Sequence, residues 1–250
     1  MRAFITLMRR ELAAYFVSVT GYVIIAATTF LVGLGFVVLL DKLGNRPWPM
    51  PVTELFYLTH FFWFIVLLAG PVITMRLFAL EKFSGTFETL MTTPVRDTSV
   101  VLAKFSAALI FYVVMWLPML GCLFTVQHYA RQSGALEPGT LGSLYLGIML
   151  FGAWYLSLGC LASALTRSQM VAAMVTLAMG VSLFALAFLA DKVPAGAPWH
   201  AHIMSRFALF DQMHEFARGV VDTRTVVVYA SLTGLFLYLT LRAVERRRWS

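Results

Sequence analysis

Residues 76–104 read RLFALEKFSGTFETLMTTPVRDTSVVLAK, and the fold turns on how this stretch is understood. A long apolar run stands on either side of it, and it is the only charged segment of its length on its side of the membrane. The pattern predicts a short helix broken at Ser84-Gly85-Thr86, then a second helix, then a turn at Pro94. Glu81, Lys82, Glu88, Arg96 and Asp97 give the segment a charged surface, while Phe83, Phe87, Leu90 and Met91 supply apolar knobs. A mixed surface of this kind fits a plug for a soluble partner. It fits equally a solvated loop whose amphipathic helix lies on lipid. The residues by themselves leave both readings open.

The rest of the chain sets that segment in a bilayer. Of 250 residues, 60% are hydrophobic and 12% charged. A water-soluble domain carries charge on about a quarter of its residues, so these charges are too few to cover a water-facing surface. Six apolar runs are predicted to cross as helices: 21–40, 55–75, 105–126, 141–165, 170–190 and 226–243. Each is close to the roughly 20 residues a bilayer requires. Pro118 is expected to kink the third. Residues 1–18 predict an interfacial helix, with Phe4, Met8, Leu12 and Tyr15 on one face. No small-residue cleavage site follows the first span before Asp41, so the N-terminus is expected to be retained. Trp48, Tyr57 and Trp63 suit the interface at the outer end of the second span.

Between the fifth and sixth spans, Leu209, Phe210, Met213, Phe216, Ala217 and Val220 gather on one helical face. Asp211, Glu215, Arg218 and Asp222 gather on the other, so this helix is expected to lie on the outer surface or dip partway in. In the fourth span Gly152, Gly159 and Ser163 are candidates for close helix packing, including packing across a dimer. No repeat or linker divides residues 1–250, which form one all-α domain.

An even number of spans puts both termini on one side. Twelve of the 19 Lys and Arg residues lie in the segments on that side, including Arg2, Arg9, Arg10, Arg76, Lys82, Arg96 and Lys104. The excess places the termini in the cytoplasm. Topology and anionic headgroups thus explain the net charge of +7, and no nucleic-acid partner is expected.

Several chemistries find no support. His214-Glu215 begins a metalloprotease signature, but Arg218 stands where the second His belongs. His200, His202 and His214 could share a metal, although surface histidines are the commoner explanation. Cys122 and Cys160 fall inside spans and read as small hydrophobes. No Gly-Lys-Ser/Thr occurs, so there is no Walker A loop and no nucleotide-binding domain of that kind. Apart from His60 and the terminal Arg76, Lys104 and Arg242, the spans lack acidic, basic or histidine side chains, which argues against proton-coupled transport.

The pattern Arg76-x4-Glu81-x3-Gly85-Thr86-x-Glu88-x-Leu90-x3-Pro94-Val95 resembles the coupling region of type-2 (ABC-2) permeases of ABC transporters. It is most similar to the subgroup of gliding-motility GldF-like and copper-processing NosY-like permeases. Arg10-Glu11-Leu12-x2-Tyr15-Phe16, Leu165-Thr166-Arg167-Ser168-Gln169 and Phe216-Ala217-Arg218-Gly219-Val220-Val221-Asp222 extend the resemblance in order along the chain. Leu80 departs from it, since relatives often carry a second acidic residue there.

The resemblance implies a permease in a bacterial inner membrane, with coupling helices between the second and third spans. It would not be an enzyme itself. A separate cytoplasmic ATPase would bind ATP and Mg, and the permease would need no cofactor of its own. A second copy or a sister permease would complete the path, with membrane lipids and an extracytoplasmic accessory subunit as further partners. Glu81, Lys82, Glu88 and Arg96 would offer charge to the ATPase, Gly85 and Thr86 would allow the bend, and Pro94 would end the second helix. Export is the expected activity. Beside it stand an anchoring or force-transmitting subunit without bulk transport and, from another class, a membrane enzyme with a histidine site in the last outer loop.

Overall fold

The computed structural model describes residues 2–44, 60–86, 96–130, 138–191 and 209–246. Among the described residues all regular structure is helical. In chain order the helices are α1 (Arg2–Phe16), α2 (Val19–Gly44), α3 (His60–Thr74), α4 (Ala79–Ser84) and α5 (Asp97–Met115). They continue with α6 (Leu117–Ala130), α7 (Pro138–Leu165), α8 (Gln169–Asp191), α9 (Leu209–Ala217) and α10 (Thr223–Arg246). Six stretches are long and apolar enough to cross a membrane: Val19–Asp41, Phe61–Ser84, Asp97–Thr125, Pro138–Leu165, Gln169–Leu189 and Thr223–Arg246. They overlap the six expected spans where both are described, but the second runs on to Ser84 and the third begins already at Asp97, so each takes in a flank of the charged segment.

The bundle is built around α7, which touches α3, α4, α5, α8, α9 and α10. Its most apolar window is 72% buried, against 11% for α10, so α7 is the axis and α10 an outer stave. Small residues make this position possible. A Cβ on Gly152 would stand 2.1 Å from the Tyr112 ring, and one on Gly159 would stand 2.1 Å from Thr74 Oγ1. Both helices therefore approach α7 more closely than any side chain there would permit.

Two prolines interrupt the spans, and α7 repairs the damage. Pro71, inside α3, has no N–H for the Leu67 carbonyl four residues back. The Tyr155 hydroxyl of α7 donates to that carbonyl at 3.2 Å. The third span breaks at Trp116, two residues before Pro118, as the sequence predicts. There the Trp116 carbonyl accepts from the Met119 amide at 3.1 Å and the Tyr145 hydroxyl at 2.9 Å. Within lipid, backbone groups left over by a proline or by a break in a helix must find such internal partners.

At the end of the bundle that carries α9, aromatic rings fill the core. Trp63 meets Phe210, Phe184 and Phe151 edge-on at 4.7, 5.2 and 5.9 Å between centroids. Trp63 is thus a core residue and not the interfacial anchor its type suggests; Trp48 and Tyr57 lie outside the described residues. The apolar face of α9 is buried through Leu209, Met213, Phe216 and Ala217, and the Tyr229 hydroxyl of α10 donates to Gln212 at 2.7 Å. The helix is therefore sunk into the bundle. Gly219, at φ 86°, ends that face, and Val220 turns outward instead of joining it.

Candidate functional site

The charged stretch between the second and third spans begins as an elbow. Helix α3 stops at Thr74, the chain bends over residues 75–78, and α4 leaves in a new direction. Such a bend exposes the first amides of α4, and Phe78 at its N-cap has no side-chain oxygen to receive them. Ser163 of α7 does so instead. Its Oγ accepts from the Phe78 amide at 3.0 Å and the Ala79 amide at 3.1 Å, and donates to the Met75 carbonyl at 3.3 Å. One turn earlier, Gly159 admits Thr74. The Gly159-x3-Ser163 pair is thus the seat of the elbow.

A second attachment is ionic. Lys104 of α5 places its Nζ 2.7 Å from Glu81 Oε1 of α4 and 3.0 Å from Glu11 Oε1 of α1. The lysine side chain is only 4% exposed, and its ammonium also lies 5.6 Å from the centre of the Phe78 ring. Glu81 Oε2 is buried and takes no hydrogen bond. Three elements meet on this one cation. Burial keeps screening weak, so losing the lysine would leave two carboxylates uncompensated in a poorly solvated place.

Next to it, the Tyr15 hydroxyl of α1 donates to the Ile73 carbonyl at 2.8 Å, and its ring stacks on Phe111 of α5 at 4.9 Å. Burial pushes this phenol well above its ordinary range. Arg76 lines a cavity of about 50 Å³ with Glu11, Tyr15 and Leu80, and donates to Thr20 at the start of α2. Helix α1 is therefore docked on α5 and on the elbow through the face that the sequence marks as apolar.

The third attachment is Lys82, whose Nζ donates to the Ala164 carbonyl near the end of α7. A cation at a helix C-terminus also complements the dipole there. With Glu81 and Lys82 turned inward, α4 presents a tip: Phe83, Ser84, Gly85 and Thr86 are exposed, Phe83 by 78%. Gly85 has φ 75°, the left-handed conformation that ends a helix and that glycine adopts without strain. The Ser84 and Thr86 hydroxyls lie 2.7 Å apart across it.

The site residues expected from sequence thus separate into groups. Gly85 and Thr86 form the exposed bend. Glu81 and Lys82, expected to offer their charges to a partner, are engaged inside the chain. Arg96 is exposed at the N-terminal boundary of α5, where its carbonyl accepts from the Ser99 amide at 2.8 Å. Glu88 and Pro94, with the second helix they would belong to, lie outside the described residues. Gly152, Gly159 and Ser163, expected at a dimer contact, are buried against this chain's own Tyr112, Thr74 and elbow backbone. The small-residue pattern does bring helices close, but within one chain.

Sequence reasoning missed the Lys104 cluster. The available signal was a lysine on a stretch of α5 that is otherwise apolar from Val100 onward, since an ionisable residue inside a span ordinarily marks a partner or a function. His200 and His202 lie outside the described residues. Among the described ones, no three of His, Cys, Asp and Glu converge as a metal site would need.

The arrangement is mechanical. The tip is exposed, and the helix behind it is tied to α1, α5 and α7 by short polar contacts, so a force on Phe83–Thr86 reaches several spans at once. A family model described as ABC-2 family transporter protein matches residues 49–241, more than half of the chain. No curated protein matches the sequence.

Proposed function

We propose that this chain, which belongs to the ABC-2 family of transporter proteins, is the permease subunit of an ATP-driven transporter. A separate cytoplasmic ATPase docks on the α4 tip. The observation that supports this reading is the exposed Phe83–Thr86 tip on a helix whose two charged side chains, Glu81 and Lys82, are engaged within the chain. An aromatic ring held out on a braced support is the form of anchor that dominates protein interfaces.

Closure of the ATPases on ATP would press the tip. The Ser163 cap, the Lys104 ion pairs and Lys82 would carry the displacement to α7, α5 and α1. The chain would sit in a bacterial inner membrane with both termini cytoplasmic, pair with itself or a sister permease, and support export. Its motifs resemble most those of the gliding-motility and copper-processing permeases, which supports a reading within that subgroup.

The test is to identify the ATPase that copurifies with the chain, co-express the two and measure ATP hydrolysis in proteoliposomes. Stimulation by wild type but not by Phe83→Ala is expected. Equal stimulation by both would overturn the docking assignment.

A further inference from the structure

Beside Ala164, residues of α7 and α10 line a groove of about 560 Å³. Leu161, Leu165 and Leu239 line its floor, and Arg242 and Arg246 stand at its mouth. We propose that this groove binds an anionic phospholipid, its acyl chain along the leucines and its phosphate between the two arginines.

Three observations support that occupant. First, the floor belongs to two membrane-spanning helices and is almost wholly apolar, so it suits a hydrocarbon chain. Second, the mouth is net positive. Glu245 is the acidic side chain in reach; it pairs with Arg242 at 3.0 Å, and Arg246 to Arg248 add cations beyond it in sequence. Arg242 is already oriented, donating to Tyr238 at 2.9 Å with its guanidinium 5.1 Å from that ring, an arrangement that leaves the planar group able to meet a phosphate. Third, the carbonyl end of α7 would repel a phosphate, but Lys82 donates to the Ala164 carbonyl and offsets that field. Basic pockets between spans at a membrane face are recognised sites for acidic headgroups.

The location adds a consequence. Ala164 is both a wall of the groove and the residue that Lys82 of α4 grips. A lipid in the groove therefore stands behind the elbow and stiffens it.

The experiment reads lipid retention and does not depend on any ATPase. The full chain is reconstituted in nanodiscs of phosphatidylcholine with phosphatidylglycerol, extracted, and examined by native mass spectrometry. Wild type is expected to retain phosphatidylglycerol over phosphatidylcholine by at least about tenfold, the size of a 1.4 kcal/mol preference. Arg242→Gln with Arg246→Gln should abolish the preference, and the Lys pair should keep most of it. Leu239→Trp, which fills the floor but leaves both charges, should also release the lipid. Equal retention of the two lipids by wild type, or undiminished retention by the Gln pair, would overturn the proposal. So would displacement by millimolar inorganic phosphate, which would mark a site for free phosphate, or a disulfide between Leu239→Cys in two copies, which would mark a subunit contact.

Discussion

The hydroxyl of Ser163 lies 3.0 Å from the amide of Phe78, so a serine near the end of α7 caps a helix that follows α3. The cap is supplied across 85 residues of sequence, and it fixes where the elbow can sit. Replacing Ser163 with Ala removes it and leaves buried amides without a partner. A loss of about 1–2 kcal/mol is expected, read as a lower midpoint of thermal unfolding in detergent. Ser163→Thr, which keeps the oxygen, should lose less.

Lys104 predicts a sharper result. Lys104→Met leaves the part-buried Glu11 and Glu81 without the cation they share, a change that costs up to about 3–5 kcal/mol when such a site is fully buried and less here. Neutralising all three, as Lys104→Met with Glu11→Gln and Glu81→Gln, should recover most of that stability because no charge remains uncompensated. It should not recover coupling, since the ionic tie between α1, α4 and α5 is gone. Unfolding and ATPase assays on the same preparations separate the two effects.

Gly159 and Gly121 form a matched pair. A methyl on Gly159 would meet Thr74 Oγ1 at 2.1 Å, whereas one on Gly121 would meet nothing within 4 Å. Gly159→Ala should therefore displace the elbow and lower both stability and coupling. Gly121→Ala should be neutral to within about 0.5 kcal/mol.

The Tyr15 phenol carries a pH signature. Its folded value is raised above 10.0, so the neutral form stabilises the fold fully below pH 10, and that contribution is lost as the pH rises above it. Tyr15→Phe removes the bond to Ile73, and about 1 kcal/mol with it, at neutral pH. Above pH 10 the gap between wild type and variant should narrow, because ionisation of Tyr15 then favours the unfolded chain. Denaturation midpoints measured across that range check the sign.

These predictions also mark what could be read in advance. The six spans, the break at Gly85 and the kink before Pro118 are written locally, in run length, hydropathy and backbone chemistry. The apolar face of α1 is periodic and equally plain. The ionic cluster is not local: Glu11, Glu81 and Lys104 come from three helices, and only packing makes them neighbours. The small residues of α7 carry a signal that says two helices touch but not which two. Thr74 and Tyr112 of the same chain answer it, where a second subunit had been expected. Glu81 and Lys82 look from their sequence like surface charges, and their inward turn follows from the direction in which α4 leaves the elbow.

The exposed tip of α4 is where the ATPase would dock, and site-specific crosslinking tests that contact directly. A photoreactive amino acid is placed at Phe83 in the full chain, in native membranes, and illuminated with and without ATP. The account predicts a crosslink to a soluble nucleotide-hydrolysing polypeptide, with a yield that changes on adding ATP, and no such product from a control at Phe124 on a membrane-spanning helix. Crosslinks to lipid alone, or labelling of position 83 by an impermeant reagent from outside the cell, would contradict it.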